Sequence, residues 1–306
     1  MVYDCLIVGG GPAGLTAAVY ALRAGKTVLV IEKSGFGGQI AYSPKVENIP
    51  GTRQISGAGF AEKLTEQAME LGADVELETV VSVQKSDGIF CLGTESGSRF
   101  EGRSVILAVG VKHRLLGLPG EEALIGSGLS FCAVCDGAFY AGQEVAMIGG
   151  GNSALQEALL LAEICKKVTV VQNLPFLTGE QALTDQLLAK DNVDVLYSTV
   201  VSAYESESGA LSALRLHNEQ TGAEQTLRVD GAFLAVGLQP ENAAFSDAAA
   251  LDAQGYFDAD ESCETKTPGV FVAGDCRRKR IRQVTTAAAD GAVAAVAACR
   301  YVDAQR

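Results

Sequence analysis

Cys132 and Cys135 stand three positions apart in a chain of 306 residues. A Cys-x-x-Cys segment can close into a small disulfide, and the same spacing lowers thiol pKa and so favours the reactive thiolate. A zinc site and an inert pair are the alternatives. Zinc takes four ligands, and the other six cysteines form no second Cys-x-x-Cys, so the spacing favours a redox pair and no metal site.

Asp136 follows the cysteine pair directly. Its carboxyl group could protonate a departing thiolate as a general acid, or Asp136 could be a turn residue and no more. Adjacency to Cys135 favours the first interpretation. We therefore predict Cys132, Cys135 and Asp136 as the catalytic residues.

A repeat supplies the elements that must position this pair. The segment Gly9-Gly-Gly-Pro-Ala-Gly14 reappears 140 positions later as Gly149-Gly-Gly-Asn-Ser-Ala154. Each copy has the pattern of strand, glycine turn, helix and strand. The predicted first strands and helices of the two copies are Asp4–Val8, Pro12–Ala24, Glu144–Ile148 and Asn152–Cys165.

This spacing is the dinucleotide-binding fingerprint. Gly9 permits the tight turn, Gly11 lets the backbone approach a pyrophosphate, and Gly14 lets the helix pack closely on the strand. The helix N-terminus then offers free N–H groups to the phosphates. Glycine turns without a ligand are the alternative, and two copies in the same context argue against it. The second predicted nucleotide site comprises Gly149, Gly151, Asn152, Ser153 and Ala154.

The two copies differ where a ribose would bind. Glu32 lies 18 positions after Gly14 and can accept a hydrogen bond from a ribose hydroxyl, unless it is a solvated carboxylate at a strand end. The second copy has Gln172, followed by Asn173 and Leu174. Neither a carboxylate for NADH nor an arginine for the phosphate of NADPH stands there, so NAD(P)H binding at the second site is uncertain.

Composition excludes several classes of protein. The net charge of −13 gives no chain-wide basic surface for nucleic acid, and eight cysteines are too few for a small secreted disulfide scaffold. No apolar stretch reaches the length of a membrane span. The apolar N-terminus lacks the cationic start of a signal peptide and carries Asp4 instead, so we expect a strand there and a cytoplasmic protein.

In combination, these motifs make the chain similar to the low-molecular-weight thioredoxin reductases over nearly its whole length. The segments that carry the resemblance are Gly9–Gly14, Glu32, Gly37–Gln39, Val46–Gly51, Leu118–Glu122, Cys132–Gly137, Gly149–Ala154, Gly274–Asp275 and Arg282–Gln283. The resemblance implies an α/β fold of two Rossmann-like, three-layer nucleotide-binding domains, the second inserted into the first. Residues 1–116 and 245–306 would form the FAD-binding domain, and residues 117–244 the NAD(P)-binding-like domain with the redox disulfide.

The resemblance also implies residue roles in a homodimeric flavoenzyme. Cys135 would accept electrons from FAD, Cys132 would attack the disulfide of a thioredoxin-like protein, and Asp136 would be the acid. The residues expected to bind FAD are Gly9, Gly11, Pro12, Ala13, Gly14, Glu32, Lys33, Gly38, Gln39, Asn48, Ala108, Gly110, Gly274, Asp275, Arg282, Gln283 and Val284.

The electron donor is where the sequence departs from the family. Relatives that use NADPH carry a His-Arg-Arg cluster where this chain has Gln172, Asn173 and Leu174. A subgroup of similar enzymes takes electrons from reduced ferredoxin, so reduced ferredoxin or NADH is favoured over NADPH. The basic run Arg277–Arg282 is either a docking patch for an acidic electron carrier or a solvated loop.

Three functions remain open from the sequence. The first is a reductase of thioredoxin-like disulfides, and the second is an FAD-dependent dithiol oxidase that passes electrons to oxygen. The third is a non-catalytic FAD-binding redox sensor. The intact pair of Cys132 and Cys135 argues against the sensor.

Overall fold

The structure is a computed structural model, and it describes residues 1–43 and 46–305. Within them the strands are β1 Val2–Val8, β2 Val28–Glu32, β3 Asp74–Leu77, β4 Val80–Ser86, β5 Ile89–Thr94, β6 Arg99–Leu107, β7 Val111–His113, β8 Leu129–Ser130, β9 Glu144–Ile148, β10 Lys167–Val171, β11 Val193–Leu196, β12 Thr199–Glu207, β13 Ala210–Asn218, β14 Glu224–Arg228, β15 Gly231–Leu234, β16 Leu238–Pro240 and β17 Val270–Val272. The α-helices are α1 Pro12–Arg23, α2 Gly57–Glu70, α3 Glu121–Leu124, α4 Ala133–Asp136, α5 Asn152–Ile164, α6 Gln181–Leu188 and α7 Val284–Asp303.

The chain divides into two units, each with its own sheet. The first unit comprises Met1–Ala41, Ile49–Lys112 and Gln239–Arg306, and the second comprises Tyr42–Asn48 and His113–Leu238. The sequence predicts domain boundaries after residues 116 and 244, whereas the chain enters the second unit after Lys112 and leaves it after Leu238. The short segment 42–48 also belongs to the second unit, which the sequence does not predict.

The first unit is built on a sheet in the order β3-β2-β1-β6-β5-β4, with β17 also paired to β6. Strands β1, β2, β3, β6 and β17 run parallel, whereas β4 and β5 are antiparallel to their neighbours. The buried apolar runs of β1 and β2 form its centre, as expected for a parallel sheet covered on both faces. Helices α1 and α7 pack against each other beside this sheet.

The second unit repeats this plan around a fully parallel sheet. Its strand order is β11-β10-β9-β15-β8, with α5 packed against β9 and β10. Strands β12, β13 and β14 form a separate antiparallel sheet. Both copies of the strand–turn–helix repeat therefore lie in parallel sheets, with the helix starting at the predicted residue, Pro12 or Asn152.

No helix of the described residues is both long enough and apolar enough to cross a membrane.

Candidate active site

The first glycine turn joins β1 to α1, and two of its glycines are required by close contacts. A Cβ at Gly9 would lie 2.3 Å from the carbonyl oxygen of Ala108, and a Cβ at Gly14 would lie 1.9 Å from that of Gly9. Gly11 differs, because its φ of −82° suits any residue and a Cβ there would meet nothing nearer than Cα of Gly38, 3.9 Å away. Gly11 thus leaves open space at the N-terminus of α1, where a pyrophosphate can approach.

Glu32 ends β2 as a buried carboxylate that holds this turn. Its Oε2 accepts a hydrogen bond from the backbone N–H of Gly10 (2.7 Å), and its Oε1 accepts one from Ser34 (3.0 Å). The alternative of a solvated carboxylate is therefore wrong. Because a carboxylate oxygen accepts more than one hydrogen bond, Glu32 can still bind a ribose hydroxyl.

Asp275 lies in the turn that follows β17. Its Oδ1 is buried and finds no hydrogen-bond partner among the described residues. Burial raises the pKa of this carboxyl to about 6, against the opposing charges of Lys279 and Arg282. Since buried polar atoms in proteins are almost always paired, this unpaired acceptor indicates a ligand that donates a hydrogen bond to it.

Asp290 on α7 organises the chain around Asp275. Its Oδ2 accepts hydrogen bonds from the backbone N–H of Gly274 (3.0 Å), from Nε of Arg277 (2.8 Å) and from Nζ of Lys279 (2.8 Å). The side chains of Arg277 and Lys279 are buried, with exposures of 1% and 6%. Neither of the two alternatives for the run 277–282, a docking patch or a solvated loop, describes Arg277 and Lys279, because these two cations hold the turn together.

We expect Asp290→Asn to lower the free energy of unfolding by about 3 kcal/mol, because it leaves two buried cations without their shared carboxylate. Urea unfolding of the two proteins measures this loss. The matched control is Asp258→Asn, which removes an exposed ion pair with Arg278 and should cost less than about 1 kcal/mol. Equal losses in the two variants would contradict the structural role given to Asp290.

Arg282 and Gln283 stand at the start of α7. The guanidinium of Arg282 lies 4.4 Å from the ring centre of Tyr256, and its Nε donates to the backbone carbonyl of Asp275 (3.3 Å). Gln283 caps the helix reciprocally with Thr286. These contacts fix the two side chains beside the turn that carries Asp275.

In the second unit, Cys132 and Cys135 form a disulfide, with their Cα atoms 5.3 Å apart. Cys132 is the N-cap of α4, and its Sγ accepts a hydrogen bond from the backbone N–H of Cys135 (3.2 Å). Asp136 accepts hydrogen bonds from the hydroxyls of Ser130 (2.6 Å) and Ser43 (3.2 Å). Burial raises the pKa of Asp136, which helps this carboxyl keep a proton to donate.

The second glycine turn keeps the phosphate-binding geometry. Gly149 has φ of +125°, and a Cβ at Gly151 would meet no protein atom nearer than Oγ1 of Thr178, 3.7 Å away. Asn152, at the start of α5, hydrogen-bonds through its side chain to both the backbone N–H and the carboxylate of Glu180 (2.6 and 3.1 Å). A negative charge therefore stands beside the helix end where a phosphate would bind.

In the second site, Gln172 takes the place of the side chain that would bind a ribose. Gln172 is buried, and its Nε2 donates to the backbone carbonyl of Phe176 (2.9 Å). A Cβ on Gly150 would lie within 2.9 Å of three atoms of the Gln172 amide. The amide thus lies at the position relative to this turn that Glu32 takes in the first unit.

Within residues 1–43 and 46–305, no group of three or more His, Cys, Asp and Glu side chains is placed to hold a metal ion. The six cysteines outside the pair are free, and all except Cys91 are buried.

Comparison with known proteins identifies the family. The pyridine nucleotide-disulphide oxidoreductase family matches residues 3–291. The thioredoxin reductase of Bacillus subtilis (strain 168) is 37% identical over 303 residues, which cover 99% of this chain and 95% of that protein. The thioredoxin reductase of Treponema pallidum (strain Nichols) is 39% identical over 302 residues, with coverage of 98% and 97%. The chain belongs to the thioredoxin reductase family.

Solved structures agree with this assignment. The crystal structure of thioredoxin reductase from Streptococcus pyogenes MGAS5005 superposes with a TM-score of 0.92 at 37% identity, over 99% of both chains. The predicted fold of two Rossmann-like domains is thereby confirmed, and this member of the thioredoxin reductase family is an oxidoreductase.

The structure brings most of the predicted FAD-binding residues to the carboxyl ends of β1, β2, β6 and β17, where ligands of open α/β sheets bind. Lys33 follows β2 directly, and its side chain forms an ion pair with Glu241. Asn48 is exposed and belongs to the segment 42–48 of the second unit. The others are in the turns or at helix starts: Gly9, Gly11, Pro12, Ala13, Gly14, Glu32, Gly38, Gln39, Ala108, Gly110, Gly274, Asp275, Arg282, Gln283 and Val284.

Glu157 is a residue of the disulfide site that the sequence analysis missed. It lies on α5, and its Oε2 accepts a hydrogen bond from the backbone N–H of Ala133 (3.4 Å), the residue after Cys132. It lies on the side of α5 that carries the buried Ala154, Ala158 and Leu161. A carboxylate on the apolar face of a helix is the signal that could have identified it.

Proposed function

We propose that this protein reduces the disulfide of a thioredoxin-like protein through a bound FAD and its own Cys132–Cys135 disulfide. The observation that carries the proposal is this disulfide at the start of α4, directly followed by the half-buried carboxyl of Asp136. An acid held beside a redox pair assists thiol–disulfide exchange, because it can protonate a departing thiolate.

The first unit fits FAD. The open space at Gly11 suits a pyrophosphate, and the unpaired Oδ1 of Asp275 suits a hydroxyl donor on the cofactor. Glu32 would bind the ribose, and Arg282 and Gln283 at the start of α7 would contact the flavin end. When bound, FAD supplies the electron pair that reduces the disulfide.

The cysteines and Asp136 then perform the exchange. The thiolate of Cys132 attacks one sulfur of the partner disulfide, which forms a mixed disulfide and releases the first partner thiolate. Cys135 next attacks the sulfur of Cys132, re-forms the Cys132–Cys135 bond and releases the second partner thiolate. Asp136 donates its proton to one departing thiolate, and the other receives the proton that the Cys135 thiol loses as it attacks, so that the partner ends as a dithiol with both electrons.

The geometry of the second unit bears on the electron donor. We propose reduced ferredoxin or NADH in place of NADPH, because Gln172 stands where a ribose-reading residue would and neither it nor the following Asn173 and Leu174 is a cation that could pair with a 2′-phosphate. Arg278 and Arg280 remain as exposed cations of the run 277–282 that an acidic carrier could meet. A homodimer, a thioredoxin-like partner and a cytoplasmic location belong to the same proposal and rest on the family.

The decisive assay is anaerobic. The protein is mixed with an oxidised thioredoxin and, in turn, reduced ferredoxin, NADH or NADPH, and new protein thiols are counted. Formation of two thiols per pair of electrons supports the proposal. Release of peroxide from a dithiol in air, with no reduction of thioredoxin under argon, would instead support the dithiol oxidase.

We expect Gly11→Ala to weaken FAD binding at least about tenfold, or ~1.4 kcal/mol, because the added methyl group enters the space meant for the pyrophosphate. The cost in stability should stay near 1 kcal/mol or below, since the methyl group meets no protein atom within 3.9 Å. FAD titration of the apoprotein measures the affinity. Gly35→Ala is the control, because a Cβ there also lies in open space but outside the turn. Unchanged FAD affinity in Gly11→Ala would contradict the cofactor site.

A further inference from the structure

Glu157 places a carboxyl group beneath the turn that carries the disulfide. Its Oε2 accepts a hydrogen bond from the backbone N–H of Ala133 at 3.4 Å, which is one residue from Cys132. Helix α5 packs against α4 and against the turn Gly137–Tyr140. Glu157 is half-buried, and a carboxyl group in this place has a desolvation cost that an apolar side chain would avoid, so its presence calls for an explanation.

Of the titratable groups around Glu157, one has a charge that acts on it, the carboxyl of Asp136. The titratable side chains on the elements packed against α5 are Asp136 on α4, Tyr140 in the following turn, Glu144 on β9, Lys167 on β10 and Asp185 on α6. Glu144 and Lys167 form ion pairs with Lys166 and Asp194. Asp136 is the neighbour whose charge acts on Glu157, and it lies next to Cys135.

Burial raises the pKa of Glu157 to about 7, with the charge of Asp136 adding to the rise and the Ala133 N–H opposing it. Glu157 is therefore mostly protonated and neutral at pH 6. At pH 8.5 it is ionised while the Cys132–Cys135 disulfide is intact. A new negative charge on a nearby sulfur would raise this pKa further, because like charges disfavour ionisation.

We propose that Glu157 acts on the Cys132–Cys135 pair through Ala133 and Asp136, binding a proton when the disulfide is reduced and releasing it when the disulfide re-forms. Reduction breaks the S–S bond and takes up two electrons and two protons. Where Glu157 is ionised before reduction, above about pH 7, one proton goes to a cysteine sulfur and one to Glu157, so that the other sulfur stays a thiolate. Glu157 is thus a positioning residue that offsets the charge of the nucleophile without protonating it. The inference rests on the proposed function of the pair.

The test is a redox titration of the FAD-loaded protein in buffers of reduced and oxidised dithiothreitol, at pH 6 and at pH 8.5. Acid quenching and alkylation report the thiol state of the peptide that contains Cys132 and Cys135. Glu157→Gln keeps the shape of the side chain and removes its charge. At pH 8.5 we expect the equilibrium constant for reduction to be about fivefold larger in Glu157→Gln than in the wild type, or ~20 mV, because its thiolate meets no second carboxylate.

At pH 6 the two proteins should have the same equilibrium constant, because Glu157 is then neutral like glutamine. If Glu157 had a purely structural role, Glu157→Gln would change the equilibrium constant for reduction by the same factor at both pH values, and that result would overturn the proposal. Equal constants for Glu157→Gln and the wild type at both pH values would also overturn it. Glu163→Gln is the matched control, since Glu163 lies on the same helix but is exposed and paired with Lys190. It should match the wild type at both pH values.

A second measurement does not depend on comparing the stability of variants. Reduction of the wild type at pH 7.5 should add the infrared band of a protonated carboxyl group, and Glu157→Gln should lack it. No such band in the wild type would overturn the proposal. Neither measurement uses thioredoxin or turnover. The link between proton binding by Glu157 and reduction of the disulfide can therefore be confirmed or refuted independently of the reductase function.

Discussion

Replacing Cys132 by serine should reduce the rate of thioredoxin reduction at least about a thousandfold while FAD stays bound. The hydroxyl of serine can keep the N-cap of α4, where Sγ of Cys132 now accepts the hydrogen bond from Cys135. Closing so short a loop contributes about 2 kcal/mol or less to stability, so we expect the variant to fold. The lost activity would then reflect the missing sulfur. Anaerobic counting of thioredoxin thiols measures it.

The control is Cys91→Ser, because Cys91 is the one partly exposed free cysteine of the described residues and lies in the other unit. It should keep wild-type activity. Retained turnover in Cys132→Ser, or an equal loss in Cys91→Ser, would remove Cys132 from the mechanism.

The two cysteines can also be told apart. In Cys135→Ser, after reduction, Cys132 can attack a partner disulfide but nothing resolves the product, so a stable mixed disulfide with thioredoxin should accumulate. Cys132→Ser should form little of it. Trapping by Cys132→Ser and not by Cys135→Ser would reverse the assigned roles.

The nucleotide turns were predictable because their signals are local. Short apolar runs, glycines at fixed spacing and a helix start at Pro12 or Asn152 leave few alternative structures within about 30 residues. The predicted ends of the two helices were also close to the observed ones: α1 ends at Arg23 and α5 at Ile164, each one residue before the predicted end. The roles of the turns in binding FAD or NAD(P)H stay predictions.

The contacts of the basic run and of Glu157 were not predictable, because they join distant parts of the chain. Arg277 and Lys279 look like a surface patch until α7 brings Asp290 against them. Glu157 reaches Ala133 only because α5 packs against α4, 24 positions away in sequence. Charge spacing along a chain gives no information on such pairs, whereas burial and partner atoms in the fold do.

NADPH should be the poorest of the three candidate donors. We expect it to reduce the bound flavin at least about a hundredfold more slowly than reduced ferredoxin, at micromolar concentrations and in anaerobic stopped flow. The amide of Gln172 occupies the ribose-reading position, and the carboxylate of Glu180 lies beside Asn152 at the start of α5. Gln172, Asn173 and Leu174 offer the extra phosphate of NADPH no cation, whereas the Glu180 carboxylate opposes the pyrophosphate of either nucleotide. Rapid bleaching of the flavin by NADPH would contradict this prediction.

The same argument predicts a gain of function. Gln172→His, Asn173→Arg and Leu174→Arg together should restore the basic cluster of NADPH-using relatives, and each charge-assisted hydrogen bond to the phosphate contributes about 1.5–3 kcal/mol. The concentration of NADPH for half-maximal flavin reduction should therefore fall at least about tenfold, with little change for NADH. The control is Gln220→Arg with Gln225→Arg, which adds the same charge at exposed positions of the second unit. If the control improves NADPH use as much as the triple variant does, the gain comes from general attraction of the NADPH anion to added positive charge. The loss of the His-Arg-Arg cluster would then not explain the choice of electron donor.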